Sequence, residues 1–341
     1  MPRSLPALLA VSVALPAFAD GHLSGELNLY SSRHYDTDER LYSDFEAATE
    51  VTINRIEGNA DELIARMEAE GANSPADVLV TVDTARLERA KAAGVLQPVE
   101  SDVLAERIPQ NLRDSDDQWF GFSKRARIFF YDEADVAEPP QTYLALADPA
   151  YAGMVCSRSS TNTYTQTLMA AVITHHGEDA ARDWAQGVVD NFARDPQGGD
   201  SDQLRGLVSG ECDIAISNTY YFARALREPV DGLGAAELEG IGWVFPSMAE
   251  GEGAHVNLSG AGVAANAPNR DNAVAFLEYL ASDSAQQYFS NGNDEYPAVP
   301  GVALAPNVEQ LGELVEDTID LSQVAQNIAA ANRIFAEVGW E

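Results

Sequence analysis

Aromatic and imidazole side chains follow three apolar segments of the chain, at the point where each predicted strand ends. In chain order these side chains are His34, Tyr35, Tyr164, Tyr220 and Tyr221. Ligands of open α/β sheets bind beyond the carboxyl ends of the strands, so three strand ends can deliver these groups to one crevice. Two kinds of chemistry fit clustered tyrosines: stacking of the rings on an organic ligand, or coordination of a hard trivalent cation by phenolate oxygens.

Coordination by tyrosine requires a cation that can displace the phenol proton. The phenol group titrates at about pH 10 in water. A strong Lewis acid such as Fe3+ removes that proton, and hard anionic oxygen suits ferric iron, whereas softer metals prefer cysteine or histidine. Three or four phenolates around Fe3+ leave the site neutral or anionic, so a nearby cation would balance the charge. The densest positive segment, Lys124-Arg125-Ala126-Arg127, lies in a predicted linker that faces the crevice.

The segments between these side chains alternate between strand-like and helix-like patterns, which predicts an α/β fold. A first unit begins at the strand Leu27–Tyr30 and includes the nearly continuous apolar strand Ala76–Val82, as in a parallel sheet covered on both faces. A second unit begins at the strand Gly153–Ser157. Extended segments near 119–131 and 240–246 join the two units. We therefore expect two doubly wound lobes joined by hinge strands, the type II clamshell layout of periplasmic binding proteins.

The joining segments also predict how the chain is divided. Residues 20–122 and 246–300 are expected to form a discontinuous first lobe, and residues 123–245 the second lobe. Residues 301–341 are expected to be a helical segment that packs on the lobes. A chain of 341 residues exceeds one ordinary hydrophobic core, which agrees with a division into two lobes.

The first residues have the pattern of a secretory signal peptide, predicted over 1–19. Arg3 supplies the positive start, residues 5–15 form a short apolar run, and Ala17-Phe18-Ala19 is a small-residue cleavage site. The apolar run is too short to span a bilayer. We therefore expect a periplasmic protein that does not insert into the membrane.

Cys156 and Cys212 are the cysteines of the chain. In an exported protein an even pair suggests a disulfide, and both residues lie in strand-like segments that can be neighbours. The alternative is a pair of buried free thiols. Their spacing does not match a metal-binding motif.

Composition narrows the classes of function. The chain carries 54 acidic and 21 basic residues, a formal net charge of −33, which argues against nucleic acid and anionic lipid as partners. The hydrophobic content of 45% is ample for packed cores and excludes global disorder. The sequence lacks a nucleophile elbow, a phosphate-binding loop and a zinc-protease motif, so a secreted hydrolase is disfavoured.

Several segments together carry a resemblance to a known family. They are Ser31–Asp38, Pro75–Asp83, Gly121–Arg127, Arg158–Tyr164, Gly210–Tyr221 and Glu295–Pro297. These segments resemble the ferric-iron-binding proteins of bacterial ABC importers, and the resemblance covers nearly the whole mature chain. It implies a bilobal, transferrin-like fold and a site in the cleft between the lobes.

The resemblance also implies which residues hold the metal. The tandem tyrosine of the family corresponds to Tyr220 and Tyr221, and a branch with additional tyrosines matches Tyr35 and Tyr164. Another branch uses a glutamate after the third strand, where this chain has Val82, so that ligand is missing here.

Two further positions follow from the same resemblance. His34 corresponds to a histidine that is a ligand in some members of the family and not in others. An arginine of the Ser123–Arg127 motif approaches the site in the family, and we favour Arg125 over Arg127 as the residue that balances charge or holds an anion.

The expected function is that of the periplasmic subunit of an iron(III) ABC importer, which captures iron and catalyses no reaction. Ferric iron is the expected cargo, with ferrous iron as the alternative, and a small anion such as carbonate is a candidate companion on the metal. The expected partner is the importer's permease in the inner membrane, and the protein is expected to be a monomer. The alternative function is binding of a polyamine or phosphonate by aromatic stacking.

Overall fold

The computed structural model describes residues 23–33, 35, 37–230 and 232–341. The predicted signal peptide and the candidate ligand His34 lie outside the described residues. Within the described part of the chain, no helix combines the length and the apolar character needed to cross a membrane.

Strands and helices alternate along most of the chain. The strands are β1 (Gly25–Ser31), β2 (Val51–Glu57), β3 (Val78–Thr81), β4 (Phe120–Asp132), β5 (Val155–Cys156), β6 (Ile214–Asn218), β7 (Ile241–Val244), β8 (Val256–Val263) and β9 (Tyr296–Pro297). The helices are α1 (Asp38–Thr49), α2 (Ala60–Glu70), α3 (Thr84–Ala92), α4 (Asp102–Arg107), α5 (Thr163–Asp190), α6 (Asp200–Val208), α7 (Thr219–Arg227), α8 (Arg270–Leu280), α9 (Asp283–Asn293), α10 (Pro306–Glu309), α11 (Leu321–Gln326) and α12 (Ile328–Val338).

One long strand, β4, joins the two halves of a mixed sheet with the strand order β2-β1-β3-β8-β4-β6-β5. The first half of β4, from Phe120 to Ala126, pairs with β8, and its second half, from Arg127 to Asp132, pairs with β6 and β7. β1 pairs in parallel with β2 and β3, and β5 pairs in parallel with β6. The two halves of β4 therefore belong to different lobes.

Helices cover both faces of the second-lobe sheet, as the doubly wound prediction requires. Ala126, Ile128 and Phe130 pack in one hydrophobic cluster with Phe222 of α7, while Phe129 packs in the other. Successive side chains of a strand point to opposite faces, so this alternation shows β4 buried on both sides. The expected α/β fold with two lobes is confirmed in the structure.

The predicted lobe boundaries remain predictions, but the structure adds detail near the second joining segment. The extended run expected near 240–246 contains β7, which pairs with the second half of β4. Ser247 still bridges to Thr142. The chain rejoins the first half of β4 at β8, which begins at Val256.

Two segments with helical patterns are divided into separate helices in the structure. The sequence predicts one helix over 272–291, whereas the structure has α8 and α9, separated where the Ser282 side chain caps α9 by accepting from the Ala285 amide. The pattern over about 308–338 predicts a helical, amphipathic segment, and the structure has the separate helices α10, α11 and α12 there. Gly312, with a φ of 90°, and the capping residue Asp320 interrupt it.

The last segment of the chain contacts both lobes. α10 packs against α7, α12 packs against α5, and α11 contacts both α3 and α5. Leu321 and Val324 of α11 are buried in these contacts. The segment after 301 thus bridges the lobes rather than extending one of them.

Candidate functional site

Each candidate tyrosine of the described chain follows a strand, and short-range contacts fix its position. Tyr35 lies beyond β1, and Tyr164 lies in the first turn of α5, whose amino end is capped by the Asn162 side chain accepting from the Tyr164 amide at 3.0 Å. Tyr220 and Tyr221 occupy the first turn of α7, immediately after β6. The carboxyl ends of strands in both lobes therefore supply these phenols.

The structure brings the four tyrosines together. The hydroxyl oxygens of Tyr164 and Tyr220 are 3.3 Å apart, although 56 residues separate them in the chain. The rings of Tyr220 and Tyr221 have centroids 4.2 Å apart. Tyr35 lies in the same group, because the guanidinium carbon of one arginine, Arg224, lies 6.0 Å from the Tyr35 ring centroid and 5.6 Å from that of Tyr220. The phenol groups converge from both lobes on one place.

Burial keeps the phenols of Tyr35, Tyr220 and Tyr221 protonated in the absence of a cation. It raises the pKa of Tyr35, and the Glu295 carboxylate raises it further. Burial also holds the pKa of Tyr220 well above its usual range and raises that of Tyr221, where Asp200 adds to the effect. The metal-free pocket therefore presents neutral hydroxyls, and a cation must displace their protons.

Arg125 is the basic residue of the 123–127 motif that faces the tyrosines. Its side chain is buried, and its Nη2 donates to the Val82 carbonyl at 2.9 Å and to Ser259 Oγ at 3.2 Å. The Glu295 carboxylate lies 3.6 Å away. Burial acts to lower the pKa of Arg125, but Glu295 and the tyrosines outweigh it, and the pKa is raised overall. Arg125 is therefore a buried cation beside the phenols.

The other two basic residues of the 123–127 motif, Lys124 and Arg127, do not face the tyrosines. Arg127 Nη1 donates to Asp200 Oδ1 at 2.9 Å and to Asn218 Oδ1 at 3.2 Å, and Arg158 contacts the other oxygen of Asp200 at 3.0 Å. Lys124 forms an ion pair of 2.6 Å with Glu316. The sequence places Lys124, Arg125 and Arg127 beside the crevice. In the structure, each of these residues lies beside a different carboxylate.

Two residues near the tyrosines were missed by sequence reasoning. The guanidinium carbon of Arg224 lies 5.6 Å from the ring centroid of Tyr220 and 6.0 Å from that of Tyr35. Its spacing of four residues from Tyr220 on α7 is the local signal that could have identified it. Glu295 lies within the recognised motif, but only its tertiary contacts place its carboxylate beside Arg125.

The sequence favours a structural role for Arg33, as the partner of a carboxylate, and the structure shows such a partner. Arg33 donates to both oxygens of Asp38, at 2.9 and 3.1 Å, and its guanidinium carbon lies 4.8 Å from the Tyr35 ring centroid. The ion pair is buried on both sides. It connects the Tyr35 loop to the start of α1.

The sequence of His175-His176-Gly177 predicts an exposed turn at the end of a helix, but in the structure both histidines contact distant parts of the chain. His175 Nε2 lies 2.9 Å from Asp317 Oδ2, and His176 Nε2 lies 2.8 Å from the Met248 carbonyl oxygen. The helix does break where expected, at Gly177, which has a φ of 83°. The segment after 301 covers this turn, a contact that a local pattern does not reveal.

Cys156 and Cys212 are joined as a disulfide, with Cα atoms 5.8 Å apart. Cys156 belongs to β5, and Cys212 lies just before β6, which pairs with β5 in parallel. The bond therefore ties together the two strands that lead to Tyr164 and Tyr220.

Other metal-binding side chains of the described residues are not gathered into a second site. Among the residues that the structure describes, no group of three or more His, Cys, Asp or Glu side chains is placed to hold a metal ion. A cavity of about 520 Å3 lies nearby, at the ends of β1 to β3, and its lining includes Ser32, Val82 and Thr163. The tyrosines are thus the candidate metal donors of the described chain, next to an open cavity.

Known proteins match most of the chain. Residues 40–315 match the family model described as "Bacterial extracellular solute-binding protein". The chain is 48% identical to "Iron uptake protein A1" of Synechocystis sp. over 317 residues, which are 93% of this chain and 88% of that protein.

Solved structures of other proteins also match most of the chain. A Trichodesmium protein in complex with iron and citrate ligands matches with a TM-score of 0.88 and 46% identity, covering 93% of this chain and 100% of that one. The ferric binding protein from Campylobacter jejuni matches with a TM-score of 0.84 and 38% identity, covering 92% of this chain and 100% of that one.

Proposed function

The chain belongs to the family of bacterial extracellular solute-binding proteins, and on that premise we propose that it is the periplasmic iron-binding subunit of an ABC importer. Its cargo is Fe3+, held by the phenolates of Tyr35, Tyr164, Tyr220 and Tyr221. Support comes from relatives named for iron uptake and for ferric binding. His34, which precedes Tyr35, is proposed as an additional nitrogen donor.

The observation that carries the proposal is the clustering of phenol groups: three come from the second lobe, and Tyr35 of the first lobe shares the Arg224 guanidinium with Tyr220. The hydroxyls of Tyr164 and Tyr220 approach to 3.3 Å, and the rings of Tyr220 and Tyr221 pack against each other. Oxygen atoms directed at one point suit a hard cation. Stacking on an organic solute would instead need ring faces open to the ligand, so the structure favours the metal over a polyamine or phosphonate.

Charge balance supports the same cargo and assigns a role to Arg125. Four phenolates and one Fe3+ carry a combined charge of −1, which the buried guanidinium of Arg125 can offset. Its Nε and Nη1 atoms are buried and form no hydrogen bond with any group in the described residues. These donors suit either the phenolates or a small companion anion such as carbonate. Arg127, which is engaged with Asp200, acts on the charge from farther away.

The protein acts by binding and release, without catalysis. We propose that the lobes close around the ion and that the closed monomer delivers it to the permease in the inner membrane. The signal pattern at residues 1–19 supports a periplasmic location.

Iron loading tests the proposal directly. Addition of Fe3+ to the metal-free protein should produce an orange to red colour from phenolate-to-iron charge transfer, and Tyr220→Phe combined with Tyr221→Phe should abolish it. Because binding releases phenol protons, loading should weaken as the pH falls. A matched control is Tyr296→Phe, which removes a buried hydroxyl that forms no hydrogen bond in the described chain. A wild-type protein that stays colourless with Fe3+ would contradict the proposal.

A further inference from the structure

Three consecutive residues at the end of α9 contact three different parts of the candidate site. Asn293 Nδ2 donates to Asp38 Oδ1 at 3.0 Å, beside the loop that carries Tyr35. Glu295 accepts from Ser123 Oγ at 2.6 Å and lies 3.6 Å from Arg125. Asp294, between them, contacts the helix that carries the tyrosine pair.

The Asp294 carboxylate is buried, and donors from α7 and α10 occupy all of its hydrogen-bond acceptor positions. Its Oδ1 accepts from Arg227 Nε at 2.8 Å and from Asn307 Nδ2 at 2.7 Å. Its Oδ2 accepts from Arg227 Nη2 at 3.0 Å and from Arg224 Nε at 3.2 Å. A carboxylate has about four acceptor positions, and here each is occupied. The two-point contact with Arg227 fixes orientation as well as distance.

Asp294 and its arginines belong to different lobes. Asp294 ends α9, which packs against α1, β4 and β9 on the first-lobe side. Arg224 and Arg227 lie on α7, which follows the second-lobe strand β6. Residues spaced by four and three along a helix share one face, so Tyr220 lies on the same face as these arginines. The contact therefore sets the rotation of the helix that directs Tyr220.

Arg224 extends this contact to the phenols. Its guanidinium carbon lies within 6.0 Å of the ring centroids of both Tyr35 and Tyr220, one from each lobe. A cation between two rings is stabilised by both ring faces. The arrangement thus connects Asp294 to a tyrosine on each side of the cleft.

We propose that Asp294 is a positioning residue that couples the approach of the lobes to assembly of the iron site. Through Arg224 and Arg227 it holds α7 in the rotation at which Tyr220 and Tyr35 reach one ion. Loss of this contact leaves all four tyrosines in the chain but frees the rotation of α7, so that closure no longer aligns Tyr220 with Tyr35. The inference rests on the proposed function, since it assumes that the tyrosines bind iron.

The test compares Asp294→Asn with the matched variant Asp61→Asn. Asp61 also pairs with two arginines spaced by three, Arg86 and Arg89, but within the first lobe and partly exposed. The measurements are the charge-transfer band during competition with citrate and the radius of gyration, by small-angle scattering, with and without Fe3+. Energetic coupling between sites is commonly about 5- to 150-fold.

We expect Asp294→Asn to lose iron at citrate concentrations about tenfold lower than the wild type and to contract less when iron is added. Asp61→Asn should match the wild type in both measurements. Wild-type iron retention and contraction in Asp294→Asn would overturn the inference while the proposed function stands. A wild-type protein without a charge-transfer band would instead overturn the proposed function.

A second variant keeps the inference testable if Asp294→Asn does not fold. Arg227→Gln removes the two-point contact but leaves Arg224 and Asn307 on the carboxylate. Its iron should also be lost at lower citrate concentrations, by a smaller factor. Circular dichroism of the metal-free protein would establish that Arg227→Gln is folded. Unchanged iron retention and contraction in the folded variant would overturn the inference.

Discussion

Arg125 and Arg127 lie two residues apart on the same face of β4, but each contacts a different half of the sheet. Arg125 pairs across the strand with Asn257 of β8, and its nearest carboxylate oxygen is 3.6 Å away. Arg127 pairs with Asn218 of β6 and holds Asp200 at 2.9 Å. Both side chains are buried, so burial does not distinguish them.

The difference lies in how firmly each positive charge is already neutralised. Arg127 shares a fully buried carboxylate with Arg158, which makes it part of a structural ion-pair network. Arg125 is more loosely paired and lies among Tyr35, Tyr164 and Tyr220. A loosely paired cation beside neutral phenols can respond when they ionise. The change of partner strand along β4 therefore separates an arginine held in a buried ion-pair network from one that lies beside the phenols.

The largest expected effect is on stability, at the firmly paired arginine. Arg127→Gln should lower the free energy of unfolding of the metal-free protein by about 3 kcal/mol, because it breaks a buried ion pair. Urea denaturation measures the change. Arg182→Gln, which removes a solvent-exposed pair with Glu337, should change the free energy of unfolding much less than Arg127→Gln does. Equal losses in the two variants would show that Arg127 is not a structural partner.

The second effect concerns iron and should appear at the loosely paired arginine. Arg125→Gln should release iron to citrate about tenfold more readily, which corresponds to about 1.4 kcal/mol, because the phenolates lose their nearby cation. The loss of stability in the metal-free protein should be smaller than for Arg127→Gln. If Arg127→Gln weakened iron retention more than Arg125→Gln, the distinction between the two arginines would be wrong.

The smallest effect is expected at the third cation of the motif. Lys124→Gln removes an ion pair with Glu316 that is partly open to solvent. Such pairs contribute about 0–1 kcal/mol, so unfolding in urea should change within that range and iron retention should remain unchanged. A clear loss of iron from Lys124→Gln would extend the functional role to the whole basic motif.

Sequence patterns predicted the strands that lead to the site because each strand is a local feature. Leu27–Tyr30 lies within β1, and the nearly continuous apolar run Ala76–Val82 contains β3. The merging of α8 and α9 into one predicted helix arose from a local misreading, since Ser282 followed by Asp283 is a recognisable start signal. The bridging role of the segment after 301 depends on packing against distant helices and has no comparable signal.

The candidate site also contains residues that the sequence identifies and a residue that only the structure reveals. The tyrosines could be identified from the sequence because parallel strands present their carboxyl ends at a common edge. Asp294 could not, because its importance comes from Arg224 and Arg227, which lie 70 and 67 residues away in the chain. Because acidic residues are numerous in this chain, the sequence does not single out one carboxylate before its partners are known.

The sequence by itself determined the residue types and the strand ends that present them: phenols from both lobes, a basic strand between them, and an α/β chain. These follow from hydrophobic periodicity and residue chemistry, which act over a few neighbouring positions. Only the tertiary structure decided that Arg125 rather than Arg127 faces the phenols, and that Asp294 connects α9 to α7. Those choices depend on which distant strand or helix each side chain meets, and only packing of the whole chain determines such contacts.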